Sequence, residues 1–152
     1  MIFRPTPLEG ATLLPPVTEH DALADLPRLA MGEGSEVADF TIDPESWYAR
    51  DMRNGSSTLF NHYAGVLSPQ NAERLKHVKP GGSWRDIPHE LLPAGMKRAR
   101  PSDHTKRYGR RKRDALSGTI MTKCDPHWGA VFLPDQDRAL TVREGCAPSI
   151  LP

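Results

Sequence analysis

The chain has 152 residues and only two cysteines, Cys124 and Cys146, which lie well apart. So small a supply excludes a disulfide scaffold and fits a reducing compartment. No apolar run approaches the ~20 residues that a membrane-spanning helix needs, so no membrane is expected as a partner. The opening MIFRPTPLEG carries no apolar stretch of the kind a secretory leader uses, and a cytoplasmic location is expected. Metal ligands are equally scarce. Cys124 and His127 stand three apart, only Cys146 could add a third soft ligand, and no second Cys-x-x-Cys or His pair exists, so zinc is not expected. Uninterrupted helical stretches are missing too, because 15 prolines and 12 glycines punctuate the chain. Short elements joined by ordered loops are the consequence.

What is present is a strong separation of charge. The formal net charge is +1, but residues 1–60 carry four basic and ten acidic side chains, while 97–113 (KRARPSDHTKRYGRRKR) carry nine basic and one acidic. One short segment therefore holds nearly all of the positive potential, and its natural partner is a polyanion such as nucleic acid. Lys97, Arg98, Arg100, Lys106, Arg107, Arg110, Arg111, Lys112 and Arg113 are the candidate phosphate or base contacts. Tyr108 is interleaved among them, and an aromatic ring in that setting can stack on an unpaired base. A solvated basic loop with no ligand is the plainer alternative.

In chain order, the first helix signal is Thr18 followed three residues later by Asp21, with Ala22, Leu23 and Leu26 as its apolar face and Pro27 as its stop. Residues 30–60 read as an acidic loop region in which Trp47, Tyr48 and Phe60 are packing anchors. Ser68 caps a second helix with Pro69 in its first position, Ala72 and Leu75 on its inner face, and Pro80-Gly81-Gly82 as its end. The following SWRDIPHELLP predicts one or two short turns that bury Trp84, Ile87, Leu91 and Leu92.

The stretch 117–144 is the most structured by pattern. Residues 118–123 alternate and are rich in β-branched side chains, residues 130–133 are a second short apolar run, and CDPHWG lies between them, so a hairpin is predicted. Thr141 and Glu144 then have capping-box spacing at the start of a helix, yet Gly145 and Pro148 oppose the helix that this cap announces.

The run Arg138-Ala139-Leu140-Thr141-Val142-Arg143-Glu144 resembles the late Arg-x-Leu-Thr-x-Arg-Glu motif of bacterial DNA cytosine-5 methyltransferases. The segments TEHDALADLP, NHYAGVLSPQNAERL, GGSWRDIP and ELLP extend the resemblance upstream, and Thr119-Ile120 with Thr122-Lys123 resemble the end of that family's target-recognition region. The resemblance implies an α+β fold, a small irregular domain of short helices and strands like the family's small DNA-reading lobe. It implies double-stranded DNA as partner, in the bacterial nucleoid, and methyl transfer from S-adenosylmethionine to C5 of a flipped-out cytosine as the whole enzyme's reaction. It adds Thr119, Thr122 and Lys123 to the DNA-facing set and gives Arg138, Thr141, Arg143 and Glu144 the task of holding the two lobes together.

The family's catalytic Pro-Cys dipeptide, its Glu-Asn-Val motif and its Phe-x-Gly-x-Gly cofactor loop are not in this sequence. The expected division is therefore 1–96 as the first part of the recognition lobe with two short helices, 97–116 as the basic DNA-facing segment, 117–144 as hairpin and late motif, and 145–152 as an aberrant tail arising from a shift of reading frame near Gly145. A chain of this kind is expected to be inactive alone and to bind no cofactor by itself. Its catalytic lobe would be supplied from elsewhere, including by a separately encoded chain. The alternative is a stand-alone basic nucleic-acid-binding protein without catalytic activity.

Overall fold

The structure is a computed structural model that describes residues 15–116, 118 and 125–147. Among these residues, four short helices and one two-stranded antiparallel sheet are joined by ordered loops, the small α+β architecture that the resemblance implies. Helix α1 (Glu19–Leu23) begins where the capping signal predicts. Thr18 Oγ1 accepts from the Asp21 N–H at 3.2 Å, and the Asp21 carboxylate accepts from the Thr18 N–H at 2.9 Å and the Thr18 hydroxyl at 2.7 Å. Five residues cannot hold a helix alone in water. The N–H groups of Glu19 and His20 are therefore satisfied from elsewhere, by the carbonyls of Ala115 and Arg113 at 3.0 Å each. The first helix is in this way tied to the end of the basic segment.

The region expected as an acidic loop is instead a hairpin with a helix in its connection: β1 (Gly34–Asp39), α2 (Trp47–Arg53) and β2 (Thr58–Tyr63). The strands pair antiparallel with Gly34 opposite Tyr63 and Asp39 opposite Thr58. Strand β1, GSEVAD, lies almost wholly in solvent and so has no buried face to print on the sequence. In β2 the two buried residues, Leu59 and His62, are three apart, which breaks the alternation of a regular strand. Asn61, at φ +59°, turns the backbone between them so that both point inward. Helix α2 is capped by Ser46, whose Oγ accepts from the Ala49 N–H at 2.9 Å, and it ends on Asn54 in the left-handed region. It buries Tyr48 and Ala49, so Tyr48 is a core residue rather than a loop anchor.

Helix α3 (Pro69–His77) follows the sequence closely, with Ser68 Oγ accepting from the Asn71 N–H at 3.3 Å and proline in the first turn. Three single 3₁₀ turns come next: Trp84–Asp86 and His89–Leu91 within the stretch where one or two are predicted, and Ala94–Met96 just after it. Pro88 and Pro93 stand at the starts of the second and third, where a missing N–H leaves nothing unsatisfied. The principal core gathers Leu75 from α3 and Val78 from its C-cap, Trp84, Ile87, Leu92 and Met96 from the 3₁₀ turns and their C-caps, and Tyr108, Val131 and Phe132 from the C-terminal half.

The predicted first strand over 118–123 lies outside the described residues except for Gly118. Among the described residues the second run forms no continuous strand, and its pairing with the first lies outside them. Phe132 instead makes single bridges, parallel to Arg110 and antiparallel to Ala139. Pro134, which has no N–H to donate, follows the run directly. Helix α4 (Val142–Cys146) is the helix that the Thr141–Glu144 cap announces, and it includes Gly145 despite that residue's low helix propensity.

Gly34 has φ +97°, and a Cβ there would come 2.1 Å from the His62 carbonyl oxygen. Gly55 has φ +77° but open space around it. Gly34→Ala is expected to cost about 2 kcal/mol or more in urea unfolding, and Gly55→Ala about 1 kcal/mol. The Asp21 carboxyl is held below its usual range by the hydrogen bonds from Thr18. A depressed folded value means stability present above the unfolded aspartate pKa of about 4 and lost as pH falls below it. Thermal melts from pH 6 to 3 are expected to show a loss of stability in the wild type that is smaller in Asp21→Asn.

Candidate nucleic-acid interface

The basic segment is held between two walls by backbone pairing. On one side the Gly81-Gly82 turn exchanges hydrogen bonds with Arg110, Gly81 N–H to Arg110 O at 2.9 Å and Arg110 N–H to Gly82 O at 3.2 Å. On the other side Phe132 N–H reaches Gly109 O at 3.1 Å, and Arg111 N–H reaches Phe132 O at 2.9 Å. Gly109 is required here, because a Cβ would meet Ala130 Cβ at 2.7 Å. The turn before it is anchored by Trp84 N–H to Arg107 O at 2.9 Å and by Tyr108 N–H to Pro126 O at 2.7 Å.

This frame divides the nine cations. Lys97, Arg98 and Arg100 are exposed in the loop that follows the last 3₁₀ turn, with the Arg100 N–H held by the Asp103 carboxylate at 3.0 Å. Lys106 and Lys112 are exposed and line one cleft of about 430 Å³. Arg107 is half-buried, with its guanidinium 5.0 Å over the Trp128 ring and 3.4 Å from His127 Nε2. Arg113 is exposed and pairs with Asp135 at 3.2 Å, with His20 Nε2 at 3.1 Å.

Arg110 and Arg111 do not take the DNA-facing place that the sequence suggests. Both are 8% exposed. Arg110 pairs with Asp137 at 2.7 Å and donates to the Leu75 carbonyl at 3.2 Å. Arg111 pairs with the buried Glu19 and donates to the Ala130 carbonyl at 3.0 Å. The reason is geometric: neighbouring side chains of an extended segment point to opposite sides, and this segment has protein on both. Tyr108 is likewise corrected as a stacking residue, since it is 3% exposed in the core and burial pushes its phenol up. Thr119, Thr122 and Lys123 lie outside the described residues.

The late-motif residues form a closed unit. Arg138 is 1% exposed and Glu144 2% exposed, and they pair through both oxygens, Nη1 to Oε2 at 2.7 Å and Nη2 to Oε1 at 2.8 Å. Arg138 also donates to the carbonyls of Leu29 at 3.0 Å and Ala139 at 3.1 Å and to Gln136 Oε1 at 3.1 Å, so all five guanidinium N–H groups are used. The Glu144 carboxylate accepts from the Thr141 N–H at 2.8 Å, and the Glu144 N–H returns to Thr141 Oγ1 at 3.1 Å. His62 joins this unit through Thr141 Oγ1 at 3.1 Å and the Pro27 carbonyl at 2.8 Å. A carbonyl only accepts, so the Nε2 of His62 donates to Pro27. Arg143 is half-buried, 5.9 Å over the Phe40 ring. Arg138, Thr141 and Glu144 thus brace this lobe from within.

Sequence reasoning missed Glu19, Asp137 and Trp128. The two acids carry no pattern that marks them as partners of arginines far along the chain. Trp128, 50% exposed beside Arg107, stands in the sequence only as part of a turn. Among the described residues no group of three His, Cys, Asp or Glu side chains is arranged to hold a metal ion.

Removing one partner of a fully buried pair strands the other, so Glu144→Ala is expected to cost about 3–5 kcal/mol in denaturant unfolding. The exposed Lys97→Ala is expected to stay within about 0.5 kcal/mol of wild type.

No protein-family model matches the chain. Known proteins do. It is 30% identical over 150 residues to DNA (cytosine-5)-methyltransferase 1A of Oryza sativa subsp. japonica and 32% identical over 150 residues to DNA (cytosine-5)-methyltransferase 2 of Arabidopsis thaliana. Each of these matches covers 88% of this chain and 10% of the plant protein. The Type II methylase M.HgiDII of Herpetosiphon aurantiacus is 35% identical over 92 residues, 60% of this chain and 26% of the methylase. The chain therefore spans about a tenth of the length of the plant relatives and about a quarter of the bacterial one.

Proposed function

Because the chain belongs to the DNA (cytosine-5)-methyltransferase family and fits a C-terminal piece of it, we propose that it is the DNA-recognition part of such an enzyme and is inactive alone. The observation that carries this reading is the split of the basic segment. Arg110 and Arg111 are consumed in holding it to the body, which leaves Lys97, Arg98, Arg100, Lys106 and Lys112 on a fixed backbone with their charges in solvent. Solvent-facing cations suit a phosphate backbone, where each neutralised phosphate releases counterions. Arg107 and Arg113 are already engaged with His127 and Asp135 and are the weaker candidates of the set. Thr119, Thr122 and Lys123 remain the candidates for base readout.

In this reading the chain alone does not hold S-adenosylmethionine. The glycine stretch that comes nearest to a cofactor loop, Gly32-Glu33-Gly34, runs into the start of β1 rather than following a strand, and the space beside Gly34 is filled by the His62 backbone. Cofactor, nucleophile and methyl transfer belong in this reading to a catalytic lobe joined to this one or encoded apart from it.

Fluorescence anisotropy with duplex DNA across a salt series tests the reading. Wild type is expected to give a steep log–log salt dependence, and the triple variant Lys97→Ala/Arg98→Ala/Arg100→Ala a slope shallower by about 2–3, at ~0.9 per lost phosphate contact, with its melting temperature unchanged. Arg111→Ala is expected to lower the melting temperature instead. Purified chain with labelled S-adenosylmethionine and DNA is expected to transfer no methyl group. Incorporation above background would overturn that part of the proposal.

A further inference from the structure

Folding buries the aromatic that the basic segment contains and exposes one that it does not. Tyr108 is 3% exposed, while Trp128, from the loop across the cleft, keeps half of its surface in solvent. Trp84 is buried and Trp47 is half-buried, so Trp128 is the most open indole of the three. Its exposure is not that of a loose loop. Asp125 closes the turn beneath it, accepting from the His127 N–H through Oδ1 at 2.8 Å and from the Trp128 N–H through its carbonyl at 2.9 Å. His127 stands edge-on between Tyr108 at 6.0 Å and Trp128 at 5.3 Å, so the indole is braced against a core residue. The Arg107 guanidinium lies 5.0 Å over its ring. Lys106 and Lys112 line the same cleft as Trp128.

We infer that Trp128, backed by Arg107, is a stacking platform for an unpaired nucleobase, with Lys106 and Lys112 taking the phosphates on either side of it. This rests on the DNA-contact reading above and adds to it a preferred substrate state, a base already out of the helix. An indole stacks on any base, and a cation on the ring strengthens the arrangement. The braced loop removes the ordering cost that a mobile tryptophan would bring to binding. Stacking does not depend on hydrogen-bond edges, so the site favours an extruded base without distinguishing strongly among the four.

The test compares a matched duplex with the same duplex carrying one bulged, unpaired nucleotide, at fixed salt, for wild type, Trp128→Phe and Trp128→Ala. Wild type is expected to bind the bulged duplex roughly tenfold tighter, Trp128→Phe to keep most of that preference, and Trp128→Ala to lose it. All three are expected to share one salt slope, since no phosphate contact is removed. Retention of the preference by Trp128→Ala, or equal binding of both duplexes by wild type with the salt dependence intact, overturns the stacking role and leaves the phosphate-contact reading standing. Absence of salt-dependent binding to either duplex overturns both.

Discussion

The hairpin, the loop after α1 and the last helix all depend on the buried ion pair between Arg138 and Glu144. Desolvating two charges costs several kcal/mol per ion, and the pair is tolerated only because each remaining donor and acceptor finds a partner. Those partners come from separate parts of the chain. Leu29 is reached from the loop after α1, Gln136 and Ala139 from the approach to α4, and Thr141 from its cap. His62 of β2 closes the set by bridging Thr141 to Pro27. A half-satisfied network of this kind would be worse than an apolar one, so the hairpin, the first loop and the last helix are placed together or not at all.

The same logic governs the basic segment. Its charge has two uses, divided by which side chains meet an acidic partner in the body. Arg110 and Arg111 turn inward to Asp137 and Glu19 and fasten the segment to the body. Their neighbours Lys106 and Lys112 keep their charge in solvent, in the cleft that Trp128 overlooks. A positive surface on a rigid backbone is thereby obtained from a sequence that, read as a charge run, describes a floppy polyelectrolyte.

Elements with a local chemical signature are legible in the amino-acid sequence. The caps at Thr18, Ser68 and Thr141 mark three of the four helices, because each is a hydrogen bond between residues three apart and is written in adjacent sequence. The hairpin and α2 are not legible there. Strand β1 buries nothing, β2 breaks its own period at Asn61, and α2 is only seven residues long. In the candidate site the cationic character can be read, and which of the cations stay exposed cannot. Trp128 is hidden for a different reason: nothing local to Asp125-Pro126-His127-Trp128 says that Arg107 will lie over the ring.

The sequence by itself determined three of the four helix starts, the family resemblance carried by the late motif and the location of positive charge in 97–113. Each of these depends on residues within a few positions of one another. Only the tertiary structure decided which arginines are fasteners and which cations remain for a polyanion, because that choice is made by Glu19, Asp137 and the walls at Gly81-Gly82 and Phe132. It likewise decided that the accessible aromatic is Trp128 and not Tyr108, since burial is set by partners distant in the chain that no local pattern identifies.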